Sequence, residues 1–179
     1  EAGITVTSLP GACACITALT MSGQPTRRFA FEAFLPYDKK ERTQTLENLR
    51  NETRTIIIYE APHHLKKTLK ECREYLGNRN MTVCKELTKR YEQKRKSTLD
   101  EMIAYYEENE PRGEYVLIFE GKSLQELKEE KQQEWNQLTV QEHMEHYLEK
   151  GMDKKSAMKQ VAKDRGVSKR DIYQELLKK

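Results

Sequence analysis

The chain has 179 residues, 34% of them charged and 36% hydrophobic, with a net charge of only +3. That length suits one or two small domains. No apolar run approaches the length of a membrane helix, and the start, EAGITVTSLPG, lacks the basic and apolar regions of a signal peptide. It also lacks an initiator Met, so the expectation is a chain that begins inside a longer protein or after processing. Cys13, Cys15, Cys72 and Cys84 are irregularly spaced, which reads as a reduced, cytoplasmic protein rather than a disulfide scaffold.

Ile4 to Ser8 reads as a short strand, and Pro10-Gly11 turns it into a helix from about Ala12 to Met21, stopped by Gly23 and Pro25. Phe29, Phe31 and Ala33 alternate with polar neighbours and predict a strand. Asp38 and Glu41 have capping-box spacing before a polar helix, about Lys39 to Asn51. Thr53 to Tyr59, rich in Ile, predicts a buried strand that ends at Glu60. A helix follows from Pro62, buries Leu65, Leu69, Cys72 and Leu76, and stops at Gly77. Met81 to Leu87 is the next strand, and Tyr91 to Ser97 an exposed arm or a further strand. Thr98-x-x-Glu101 caps a helix with Leu99, Met102, Ile103 and Tyr106 on one face. After the Pro111-Arg112-Gly113 turn, Tyr115 to Phe119 is the last core strand. The order predicts an α/β fold, a layered mixed sheet flanked by helices, over residues 1–121.

Residues 122–137 are charged and poor in apolar groups, and read as a partly helical linker. From 138 to 179 a small all-α domain is expected. Thr139 and Glu142 cap an amphipathic helix ended by Gly151. Two short helices then meet at Gly166-Val167-Ser168 as a helix-turn-helix.

Charge is unevenly spread. Residues 85–96 hold six Lys/Arg against two acids, and residues 150–179 hold ten against four. Basic clusters on a balanced chain suggest a polyanionic partner. The candidate RNA contacts are Lys85, Lys89, Arg90, Lys94 and Arg95, with Tyr91 able to stack on a base. Lys163, Lys169 and Arg170 flank the helical turn. A solvated strand in the first case, and a dimer contact or terminal cap in the second, are the plainer readings. Cys13-x-Cys15 has no second ligand pair and reads as small packed groups, not a metal site. His143 and His146 share a helix face without a completing ligand and read as surface residues. No Ser-His-Asp order or phosphate-binding loop is present.

Tyr59, Glu60 and His63 stand where ligands gather in α/β sheets, at a strand end. The bland alternative is an exposed acid and a helix-start histidine. Here the residues carry a resemblance. SLPGACACITAL (8–19), RFAFEAFLP (28–36), TRTIIIYEAPHH (53–64), KELTKRYE (85–92) and RGEYVLIFEG (112–121) are similar, in order, to the C-terminal half of the RsmI-type ribosomal RNA small subunit (cytidine 2′-O)-methyltransferases of the tetrapyrrole-methylase superfamily. The likeness covers roughly residues 4 to 121.

The resemblance implies methyl transfer from S-adenosylmethionine to a cytidine ribose 2′-hydroxyl in small-subunit ribosomal RNA. It also implies a cytoplasmic homodimer and no metal. The cofactor would lie in a cleft between two domains, met here by Pro10, Gly11, Ala12, Tyr59, Glu60, Leu87, Thr88, Gly113 and Glu114. His63 joins the RNA candidates, and Glu60 is the one acid near the cleft to test as a base. The glycine-rich loops of the family's N-terminal domain are not among these residues. The expectation is a fragment that alone binds S-adenosylmethionine poorly. Two alternatives stand beside it: a porphyrin- or corrin-methylating enzyme, and a non-catalytic RNA-binding module.

Overall fold

The computed structural model describes residues 11–177, and the expected strand at Ile4 to Ser8 lies outside them. The chain divides into two compact units, Glu1–Lys122 and Ser123–Lys179. Among the described residues no helix is long and apolar enough to cross a membrane.

The first unit is a five-stranded mixed sheet with helices on both faces. Its elements are α1 (Ala14–Ser22), β1 (Phe29–Phe34), α2 (Lys39–Leu49), β2 (Thr55–Glu60), α3 (Pro62–Leu76), β3 (Asn80–Lys85), β4 (Gln93–Thr98), α4 (Leu99–Glu108) and β5 (Tyr115–Phe119). The strand order is β1-β2-β5-β3-β4. Only β1 and β2 run parallel; β5 and β3 close the sheet antiparallel, with β4 on the edge.

Covering both faces requires the central strands to be apolar throughout. Accordingly β5 is buried along its whole length, and β2 at all but Tyr59. Ile56 and Ile58 point to the face where α2, α3 and α4 supply Leu46, Leu65, Leu69, Cys72, Leu99 and Met102. Ile57, Cys84, Val116 and Ile118 point the other way, onto Cys15, Ala18 and Leu19 of α1. The edge strand β4 is exposed over its first four residues, all polar or basic. Such a charged edge resists pairing with other chains.

Arg79 ties the far end of the sheet together, a role the sequence did not signal. Its buried guanidinium donates to the carbonyls of Leu76 (2.9 Å) and Arg50 (2.5 Å), with longer contacts to Glu52 and Glu120.

The second unit is all-helical: α5 (Leu124–Gln137), α6 (Val140–Glu149), α7 (Lys154–Arg165) and α8 (Lys169–Leu177). The segment expected as a linker is α5 itself, started by a Ser123/Glu126 capping box. None of its residues is fully buried, which is why its composition reads as a linker. Its hold on the unit comes from Trp135, stacked on His143 at 3.9 Å and 4°, and from the Gln132 side chain, which donates to the Arg165 carbonyl at 2.5 Å. His143, expected on the surface, is fully buried, with Trp135 on its ring face and Arg165 3.2 Å from Nδ1. The α7–α8 turn follows the sequence reading. Gly166 takes a left-handed φ of 67° at the end of α7, and Val167 N–H returns to Ala162 O. Ser168 and Asp171 then exchange hydrogen bonds at the start of α8.

Candidate functional site

Antiparallel pairing of β5 with β2 and β3 brings several chain segments to one end of the sheet. Tyr115 sits opposite both Glu60 and Lys85. The three described non-glycine residues with positive φ also fall in this region: Ala33 (51°), Glu86 (51°) and Thr88 (63°). Such conformations cost free energy, and they concentrate where a ligand or a tight loop requires them. At Ala33 the cause is a bulge in β1, where the register with β2 slips after Phe31. The bulge ends the expected alternation and turns Phe34 onto Tyr59, with ring centroids 5.7 Å apart.

A cleft of about 510 Å³ opens here, lined by Ala14, Phe34, Tyr59, Glu60, Ala61, Pro62, Glu114, Tyr115 and Val116. Its walls come from the start of α1, the ends of β1 and β2, and the start of β5. The volume lies in the range of small-molecule sites, and mostly apolar walls with a few polar groups are their usual chemistry.

Tyr59 holds this cleft in shape. It lies on the α1 side of the sheet, edge-on to Phe31 at 4.9 Å. Its hydroxyl accepts the backbone N–H of Cys15 at 2.9 Å. Helix α1 has no side-chain cap of its own at Cys13, so this hydroxyl satisfies one of its unpaired starting N–H groups. Burial pushes the Tyr59 phenol above its ordinary value, so the hydroxyl stays neutral.

Glu60 points the opposite way, and it is buried, unlike the exposed acid of the bland alternative. One carboxylate oxygen accepts Ala61 N–H at 2.8 Å at the start of α3. The other accepts the Thr68 hydroxyl in a short hydrogen bond. Thr68 Oγ1 in turn accepts from Arg42, which pairs with Glu71 at 2.7 Å. A chain of charge-assisted bonds therefore fixes the β2–α3 turn. The sequence marked Glu60 as a candidate but not its burial, because a charged residue is seldom buried unless it is paired.

Cys13 and Cys15 differ from the expectation of two packed thiols. Cys15 is buried, but Cys13 is exposed, with the two sulfurs 3.3 Å apart. The backbone N–H of Ile16 and then the Cys15 thiol hold the Cys13 thiol below its ordinary pKa. Burial pushes Cys15 up.

The other expected cofactor contacts are spread more widely. Pro10 lies outside the described residues; Gly11 and Ala12 are exposed beside α1. Both main-chain groups of Glu114 are taken by Glu86: the Glu114 N–H donates to Glu86 Oε1 at 2.8 Å, and its carbonyl accepts Glu86 N–H at 3.0 Å. Thr88 N–H is bound to Glu92 at 2.7 Å, and Leu87 packs against the α1-side core. Gly113 was expected to admit a ligand. Instead a Cβ there would meet the Glu86 side chain at 2.6 Å, and the residue has φ 82°. Its smallness serves the loop.

The basic cluster 85–96 does not form one face. Lys89 pairs with Glu86 (3.2 Å) and Glu114 (2.8 Å). Lys94 donates to Met21 O at the end of α1 (3.2 Å), where a cation suits the helix dipole. Arg95, next along the strand, lies 3.8 Å over the Tyr105 ring on the opposite face. Alternation along β4 makes this split unavoidable. Lys85 and Tyr91 remain together, on a second pocket of about 430 Å³ with Glu86, Gln93, Arg112 and Gly113. Arg90 stands 5.6 Å from the Tyr91 ring. His63 is exposed at the start of α3, against His64. In the helical unit Lys163, Lys169 and Arg170 are exposed around the α7–α8 turn.

Comparison with known proteins agrees with this architecture. The family model described as Tetrapyrrole (Corrin/Porphyrin) Methylases matches residues 1–103. The chain is 47% identical over 171 residues to the ribosomal RNA small subunit methyltransferase I of Halalkalibacterium halodurans, covering 96% of this chain and 58% of that protein. It is 46% identical over 168 residues to the protein of that name from Bacillus subtilis, covering 94% and 57%. For Synechocystis sp. the identity is 39% over 175 residues, covering 97% and 61%. The chain thus spans about three fifths of the length of these curated relatives.

Proposed function

Because this chain belongs to the tetrapyrrole (corrin/porphyrin) methylase family, we propose that its α/β unit forms one wall of an S-adenosylmethionine site in a methyltransferase acting on small-subunit ribosomal RNA. The observation that carries the reading is the cleft of about 510 Å³ at the sheet end, with Ala14, Tyr59, Pro62 and Val116 converging on it. The names of its relatives support the RNA substrate. The cytidine 2′-hydroxyl as acceptor, the cytoplasmic setting and a homodimeric assembly follow from the family resemblance.

The residues fit such a cofactor. Phe34, Pro62 and Val116 offer apolar contact for a purine and ribose, and the Tyr59 ring adds an aromatic wall. When bound, S-adenosylmethionine supplies the methyl group. The chain's own part is positional. Tyr59 fixes the start of α1, and Glu60 fixes the turn into α3, so that both sides of the cleft are set before a ligand arrives. Both Glu60 oxygens already accept hydrogen bonds, which favours this orienting role over that of a general base.

The test is calorimetric titration with S-adenosylmethionine of this chain and of one extended upstream to the full length of its relatives. Binding by the extended chain, with weak or no binding by this one, is expected. Absence of binding by the extended chain refutes the cofactor site and leaves an RNA-binding module as the reading.

A further inference from the structure

We propose that the pocket beside the cleft binds one nucleotide of single-stranded RNA neighbouring the methylated one, with its base on Tyr91 and its phosphate at Arg112 and Lys85. The proposal rests on the RNA reading above and narrows it to a subsite.

Tyr91 is 66% exposed. Its ring gives the core nothing, yet it stands on the rim of a pocket of about 430 Å³. A flat aromatic face on such a rim is the usual platform for an unstacked base. Arg90 lies 5.6 Å from the ring itself, and the cations lining the pocket differ from the paired members of the basic cluster. Lys89, Lys94 and Arg95 are each committed to partners within the chain. Among the described residues the side chains of Lys85 and Arg112 make no ion pair, and both line the pocket. Gln93 adds an amide that can both donate and accept.

The loop that forms the rim is held in a costly conformation. Glu86 and Thr88 both have positive φ. Glu86 is locked there by two hydrogen bonds with the Glu114 backbone and a third from Lys89. Strained conformations of this kind cluster at ligand-binding sites, and here they shape the rim of the pocket. Position completes the argument. Gly113 lines this pocket and Glu114 the cleft, so adjacent residues at the start of β5 serve both. A strand whose target ribose reaches the methyl donor at the mouth of the cleft brings its neighbouring nucleotide toward Tyr91.

The test uses fluorescence anisotropy with a labelled single-stranded RNA of about 10 nucleotides, within the usual footprint of such surfaces. Tyr91→Ala is expected to weaken binding about tenfold, as loss of one stacked base does. Tyr91→Phe keeps the ring and should bind like the parent. Arg112→Gln should weaken binding and reduce the salt slope by about 1, as loss of one phosphate contact does. Lys40→Gln on α2 should change neither. Circular dichroism checks that each variant is folded. Parent-like binding by Tyr91→Ala overturns the subsite and leaves the RNA reading intact. Failure of the parent chain to bind single-stranded RNA at low salt overturns both.

Discussion

Tyr59→Phe removes a single oxygen, which makes it a sharp test of how the cleft is held. The lost group accepts Cys15 N–H at 2.9 Å, and Cys13 offers no side-chain cap to replace it. The edge-on contacts with Phe31 and Phe34 depend on the ring and survive. The expected cost is that of losing a helix cap, about 1 kcal/mol within a range of roughly 0.5–2. For a unit of this size that is about 4 °C in melting temperature. The effect should be local first: hydrogen exchange at the Cys15 and Ile16 amides speeds up about fivefold, the factor that corresponds to 1 kcal/mol. Exchange at Ile57 and Ile118, in the centre of the sheet, changes less. Since Ala14 lines the cleft, S-adenosylmethionine affinity in the extended chain should fall as well. Unchanged stability together with unchanged exchange at Cys15 would refute the capping role, and with it the idea that β2 sets the position of α1.

Two further outcomes are expected. Arg79→Met keeps the aliphatic stem but loses two short hydrogen bonds from a charged donor, to Leu76 O and Arg50 O. About 3 kcal/mol of stability should go, measured by urea unfolding followed by circular dichroism; a loss under about 1 kcal/mol would mean that water replaces the guanidinium. The helical unit should weaken in acid. Burial, and next the Arg165 guanidinium 3.2 Å from Nδ1, hold the His143 pKa below its ordinary value; Asp164, 3.4 Å from Nε2, opposes them, and His146 adds to them. A depressed histidine pKa means the folded state keeps the neutral ring while the unfolded chain takes up a proton. Stability is therefore complete above the unfolded value near 6.5 and falls by up to about 1.4 kcal/mol per pH unit below it, until the folded pKa is reached. Trp135, the only tryptophan, stacks on His143 and reports the change by fluorescence. An unaltered acid profile in His143→Gln would show that another group is responsible.

What the sequence determined by itself is the set of elements and their inner faces. The Ile run of β2, the Leu spacing of α3 and the capping boxes at Thr98 and Thr139 are local signals, because strand alternation, helical period and cap chemistry all act within a few residues. They placed the mixed sheet, the helical tail and the strand end at Tyr59-Glu60. Tertiary structure decided what those residues meet. Glu60 is a buried anchor because Thr68, on the next helix, bonds it and Arg42, from a different helix, bonds Thr68. The basic run 85–96 looks continuous as a string, yet strand alternation sends Lys94 to the end of α1 and Arg95 to Tyr105. Most of the charged segment 122–137 is a helix, fixed by the stack of Trp135 on His143 and by a hydrogen bond from Gln132 to the Arg165 carbonyl. In each case the deciding partner comes from another element, and pairing across elements leaves no periodic trace in the chain.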